Sequence, residues 1–102
     1  MKTYSVEVTD GAWSAIERRV RYIAEEKSSP GNAARWLSRL LAEVDALETM
    51  PRRHTLDELQ SRLHGTDVYR LVHERNYLLF YSINDAAERV AVLAFTSTAQ
   101  RD

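Results

Sequence analysis

The side chains best suited to chemistry lie in the last third of the chain. Tyr69-Arg70-Leu71 sits in one apolar run, and Tyr77 and Tyr81 sit in the next. An Arg inside an otherwise apolar strand must find a carboxylate, a carbonyl, solvent or a ligand. Two roles fit Arg70. It is either a structural ion pair or solvent-facing sheet position, or an anion contact whose guanidinium holds a scissile phosphate. Side chains alternate along a strand, so Arg70 shares a face with Val68, and Tyr77 shares one with Leu79 and Tyr81.

Other chemistries are poorly supplied. His54, His64 and His73 form neither an HxH nor an HExxH spacing, so no metal site is expected. There is no Cys, which excludes disulfides, thiolate nucleophiles and Cys-ligated zinc. No GxSxG elbow is present, and the three Gly are isolated, so there is no phosphate-cradling loop. Glu25-Glu26 and Asp57-Glu58 fall on solvated helix positions. No cofactor is implied.

The elements that must position Arg70 and Tyr77 follow from periodicity. Tyr4 to Thr9 alternates apolar and polar, which predicts a strand with Tyr4, Val6 and Val8 inward. Thr9-Asp10 offers a cap, and Trp13, Ile16, Val20 and Ile23 form one stripe of a helix over Gly11 to Lys27. Its opposite face carries Glu17, Arg18, Arg21 and Glu25. Ser28-Ser29-Pro30-Gly31 breaks it, with Ser29 capping a second helix in which Pro30 occupies the first turn. Ala33, Leu37, Leu40, Leu41, Val44 and Leu47 line that helix, which ends near Met50-Pro51. The short turn makes the two helices an antiparallel hairpin. Trp13 and Trp36 are expected in the core, and either one, if exposed, becomes an interface candidate.

Thr55-Leu56-Asp57-Glu58 matches a capping box, and Leu56, Leu59 and Leu63 line a short third helix stopped by Gly65. Val68 to His73, Tyr77 to Ile83 and Arg89 to Phe95 are β-rich runs separated by hairpin-length loops, a three-stranded meander. The class is α+β: an N-terminal strand, an αα-hairpin, then the meander, in one sheet with helices on one face. Periodicity leaves open where the first strand joins. Residues 96–102 are expected to be a mobile polar tail of the single domain spanning 1–102.

Composition narrows the partners. The 102 residues make one domain, 44% hydrophobic and 28% charged. No apolar run reaches the roughly 20 residues a membrane span needs. MKTYSVEVTD has no signal core, so a cytoplasmic location is expected. Net charge is −1, so direct nucleic-acid binding by the chain alone is not expected. Among 14 cations only Lys2 and Lys27 are lysines, a bias that suits bidentate pairing and equally follows from a GC-rich coding sequence.

The ordering resembles the RelE/ParE family of type II toxin–antitoxin toxins. The resemblance rests on Tyr4 to Thr9 with Ile16 and Tyr22-Ile23, on Pro30-Gly31-Asn32-Ala33 opening the second helix, and on Leu47-Glu48-Thr49-Met50-Pro51 closing it. Val68-Tyr69-Arg70-Leu71 and Tyr77-Leu78-Leu79-Phe80-Tyr81 complete the series, which covers about residues 3–95. It implies a toxin held by an antitoxin whose C-terminal segment wraps it.

Two activities follow from the resemblance: ribosome-dependent mRNA cleavage in RelE-like members, and poisoning of DNA gyrase by protein contact in ParE-like members. The family's strand arginine maps to Arg70 and its strand-opening aromatic to Tyr77, the two catalytic candidates. The nuclease equipment departs from the pattern. Leu78 replaces the usual Arg after Tyr77, and Thr96-Ser97-Thr98-Ala99-Gln100 stands where basic residues follow the last strand. No Tyr follows Tyr81, and Arg52, Arg53 and Arg62 align loosely as a basic cluster. Arg70 alone supplies charge stabilisation without an acid and a base. The ParE-like branch is therefore preferred. The alternatives are the ribonuclease and a toxin fold that has lost toxicity. A partner helix would lie in the groove of the helical hairpin, a partner strand on an open sheet edge. The antitoxin-contact candidates are Arg18, Arg21, Arg35 and Arg39.

Overall fold

The computed structural model describes residues 3–98. Eight elements run in the order β1 (Ser5–Val8), α1 (Asp10–Glu25), α2 (Pro30–Asp45), β2 (Thr55–Leu56), α3 (Glu58–His64), β3 (Val68–His73), β4 (Tyr77–Asn84) and β5 (Arg89–Ser97). The five strands form one mixed sheet in the order β1-β5-β4-β3-β2. β1 joins by parallel pairing to β5, with Val6 opposite Val90 and Val8 opposite Val92. A parallel neighbour needs a long crossover, and everything from α1 to β4 lies between these two strands. The expected α+β class holds.

One face of the sheet carries the main core. Leu71, Leu79, Tyr81, Val90, Val92 and Phe95 meet Ile16, Trp36, Leu40 and Val44 from α1 and α2. Ile16 and Leu40 are fully buried because their stripes turn toward the sheet. Between Phe80 and Tyr81 the register with β5 slips by one residue, so Phe80 faces Ala94 and Tyr81 faces Val92. This bulge keeps Tyr81, Val92 and Phe95 in the core although Leu93 is inserted between them. The opposite face holds a smaller cluster of Val68, Leu78 and Phe80 with Leu93 and Ala94 against it.

Several local expectations are corrected. Thr9 and Ser29 precede their helices, but neither side chain caps. Thr9 instead donates its hydroxyl to the Val92 carbonyl at 2.8 Å and so ties α1's start to β5. α2 gives way at Ala46 to a 3-10 turn over Ala46–Glu48, and a second follows over Pro51–Arg53. The capping box at Thr55 does not form, because Thr55 and Leu56 pair with Arg70 and Tyr69 of β3. Asp57 caps α3 instead, accepting from the Gln60 N–H at 2.8 Å. Gly65 ends that helix at φ 70°, where a Cβ would be strained.

The leucine stripe of α3 faces outward: Leu59 is 58% and Leu63 69% exposed, and no residue of the helix is buried. β5 runs through Thr96 and Ser97, positions assigned above to a tail. Thr98 donates its N–H to the Asn76 carbonyl at 2.7 Å, and the rest of that tail, 99–102, lies outside the described residues.

Tyr81 gives a pH test of this core. Its hydroxyl donates to the Pro51 carbonyl at 2.5 Å, and its ring stacks on Tyr69 at 5.5 Å between centroids. Burial, then the neighbouring Tyr69, push its hydroxyl well above the ordinary tyrosine range. Above pH 10 the unfolded chain releases this proton and the native chain keeps it. Stability therefore falls as pH rises, by up to about 1.4 kcal/mol per pH unit. Urea midpoints between pH 9 and 11 are expected to decline in the wild type and to decline less in Tyr81→Phe. Parallel declines would contradict the account.

Candidate functional site

Strand alternation places the two catalytic candidates on opposite faces of the sheet. His73 pairs with Tyr77, so Tyr77 lies on the helix-covered face; Arg70 pairs with Phe80, so Arg70 lies on the other. Arg70 makes a 3.3 Å ion pair from Nη1 to Asp57 Oδ2, and Asp57 is the α3 cap. A hollow of about 470 Å³ opens beside it, lined by Leu56, Leu59, Leu78 and Phe80. Asp57, Glu58 and Gln60 line it as well, and the Arg70 charge is already matched by the Asp57 carboxylate.

Tyr77 belongs to an aromatic cluster under the helices. Trp36 meets its ring edge-on at 5.1 Å, and Phe95 stacks on it at 5.8 Å. His73 is buried beside them, with Nδ1 bonded to Glu43; among the described residues Nε2 has no hydrogen-bond partner, the nearest carboxylate being Glu74 Oε2 at 3.6 Å. The indole N–H of Trp36 is likewise unpaired. Glu74, in the tight β3–β4 connection, accepts from Arg39 Nε at 2.5 Å. That bond, more than any other contact, holds the Glu74 carboxyl below the usual range. Glu74 and Arg75 both have left-handed φ, 48° and 68°. Arg39 therefore pins a turn whose backbone suits neither residue.

The other expected basic residues are dispersed. Arg52 forms a two-pronged pair with Asp85 at 2.6 and 3.1 Å, which raises the Arg52 pKa further above its already high value. Arg53 reaches the Ala46 carbonyl at 3.4 Å, and Arg62 lies in the last turn of α3. Arg35 bonds Asn32 one helical turn away. His54 sits edge-on to Tyr81 at 6.1 Å, with its pKa lowered by burial and then by Arg53. Among the described residues, no three His, Asp or Glu side chains converge as metal ligands. No described helix is long and apolar enough to cross a membrane.

A largely apolar groove lies between α1 and α2. Trp13, Ile16, Val20 and Ala24 of α1 face Leu37 of α2 across an open groove of about 340 Å³, with Glu17 and Arg21 at its rim. Trp36 is in the core as expected, at 4% exposure, but Trp13 is not, at 36%. Both occupy apolar positions of amphipathic helices. Only Trp36 lies over the centre of the sheet, among His73, Tyr77 and Phe95. Trp13 is in the first turn of α1 and overhangs the groove.

α1 borders a second hollow on its other flank, of about 330 Å³, where Arg18, Arg19 and Tyr22 meet Thr96 and Ser97 of β5. Arg18 and Arg21, paired on one face by the helical wheel, thus border different hollows. Arg19 was not among the expected site residues. Its signal is the lack of an acidic residue three or four places away on either side, at Ala15, Ile16, Tyr22 and Ile23.

A family model described as the ParE toxin of the type II toxin–antitoxin system parDE matches residues 6–101. No curated protein matches the chain.

Proposed function

The chain belongs to the ParE toxins of type II toxin–antitoxin systems, whose members are paired with an antitoxin, and we propose that it acts by protein–protein contact, with DNA gyrase as its target. The observation that carries this reading is the separation of Arg70 from Tyr77. An RNA cleavage site needs a general base, a leaving-group acid and charge stabilisation within reach of one phosphate. Here Arg70 is paired to Asp57 on one face, and Tyr77 is packed under α2 on the other.

The antitoxin occupies the α1–α2 groove in this reading. An amphipathic helix would lay its apolar side on Val20 and Leu37 and its polar margins on Glu17 and Arg21. The outer edge of β1, at the end of the strand order, offers a second docking position by strand addition. Of the four arginine candidates, Arg21 lies on the groove and Arg18 on the opposite flank of the same helix. Arg35 and Arg39 are engaged within the chain.

The test is expression in cells with and without the polypeptide encoded by the adjacent reading frame. Expression alone is expected to arrest growth, and co-expression to restore it. In extracts the purified chain is expected to block supercoiling by gyrase and to leave mRNA intact during translation. Message cleaved in a translating extract, and protected by Arg70→Ala, would replace this reading with the ribonuclease. Unslowed growth would replace it with a toxin fold that has lost toxicity.

A further inference from the structure

We propose that the hollow between α1 and β5 is a receptor for the carboxylate of a Glu or Asp side chain carried by the partner polypeptide. The proposal rests on the antitoxin reading only for the partner's identity. Arg18 and Arg19 are adjacent cations, and Arg21 lies one turn from Arg18. Among the described residues none of the salt bridges involves Arg18 or Arg19. Like charges one turn apart, as at Arg18 and Arg21, destabilise an isolated helix; Arg21 has Glu17 and Glu25 at helical spacing, but neither Arg18 nor Arg19 has a carboxylate three or four places away. An anion supplied from outside would remove that repulsion.

The geometry is prepared for one. The Arg19 guanidinium lies 4.8 Å from the Tyr22 ring centroid and 5.7 Å from that of Tyr77. Stacking on two aromatic faces restrains the planar fork and lowers the ordering cost of binding a planar carboxylate. Ala15 and Phe95 supply apolar wall, while Thr96 and Ser97 line the hollow beside the two guanidiniums. An apolar wall beneath a cationic rim fits methylenes that end in a carboxylate.

The place in the fold also favours a polypeptide. The same helix walls the apolar groove on its other flank. A helix is about 10–12 Å across, and an extended chain covers that in about three to four residues. A segment leaving the groove can therefore cross α1 and set an acidic side chain between Arg18 and Arg19. A polyanionic nucleic acid gains no long-range attraction from a chain of net charge −1.

The full chain, labelled with nitrogen-15, would be titrated with three probes. They are a capped hexapeptide containing two Glu among Ala and Leu, its Gln counterpart, and inorganic phosphate. The Glu peptide is expected to shift the Tyr22, Thr96 and Ser97 amides saturably, and less so in added salt. The Gln peptide is expected to leave them in place. The double variant R18Q/R19Q should weaken the Glu peptide by about tenfold or more, and R18K/R19K should recover only part of the loss, because Lys lacks the planar fork. Unchanged circular dichroism would show that both variants fold.

The proposal is overturned by an absence of shifts, by equal shifts from the Gln peptide, or by phosphate saturating these amides at lower concentration than the Glu peptide. Binding of the adjacent frame's product separates the two readings. If it binds wild type and R18Q/R19Q equally, the receptor fails and the antitoxin reading stands. If it does not bind the wild type while the Glu peptide still shifts the hollow, the antitoxin reading fails and the carboxylate site stands.

Discussion

Trp36→Ala is expected to cost about 3–5 kcal/mol of folding free energy, read as a lower urea midpoint. Against the roughly 5–15 kcal/mol that holds a domain of this size, that leaves a marginal fold. The magnitude follows from position. Trp36 is 4% exposed, and its ring meets His73, Tyr77 and Phe95 edge-on at 5.7, 5.1 and 5.8 Å. It joins α2 to β3, β4 and β5 together, so the cavity left by Ala cannot close by moving one element. Trp36→Phe is expected to cost less, about 1–2 kcal/mol. Phe keeps much of the aromatic contact, and it removes an indole N–H that has no hydrogen-bond partner among the described residues. If Phe costs as much as Ala, the N–H is held by a partner such as bound water, and the purely packing account is wrong.

The contrast between the two tryptophans shows where sequence reading reaches its limit. The elements themselves were legible because α1 and α2 repeat apolar residues every three or four positions and β3 to β5 are rich in Val, Tyr, Leu and Phe. Periodicity gives the stripe but not its distance from the sheet, so it ranked Trp13 with Trp36. It also lines the short third helix with Leu56, Leu59 and Leu63 without saying which way they face; Leu56 pairs in β2, and α3 turns Leu59 and Leu63 to solvent. The pairing of β1 with β5 joins residues more than eighty positions apart, and no local pattern encodes that. β2 is two residues long, too short to show a period.

The candidate site was legible in part. Alternation put Arg70 and Tyr77 each on a definite face of its own strand. Whether those faces coincide depends on the hairpin register, which opposes His73 to Tyr77 through a turn with two left-handed residues that are not Gly. Arg18 and Arg21 were correctly placed on the outer side of α1, but the wheel has no information about what flanks the helix. The stacking of Arg19 on Tyr77, fifty-eight positions away, is a tertiary fact that no helical wheel carries.

The second large effect is on binding rather than folding. Trp13→Ala is expected to weaken the complex with the antitoxin by about thirtyfold or more, corresponding to about 2 kcal/mol, the range of an interface anchor. A ring that is 36% exposed and overhangs a groove lined by Val20, Ala24 and Leu37 is available to a partner in a way Trp36 is not. Burying the rest of it against a partner helix would add apolar area at little entropic cost, since the ring has few rotamers. The free chain should lose stability too, but less than in Trp36→Ala, because about a third of Trp13 is already in water. Titration calorimetry therefore separates the two sites: Trp13→Ala loses affinity, whereas Trp36→Phe shifts folding and keeps its affinity. The groove is the docking surface only if that contrast appears. An undiminished affinity in Trp13→Ala, with the wild type binding well, would move the antitoxin off α1 and leave the outer edge of β1 as the position to examine next.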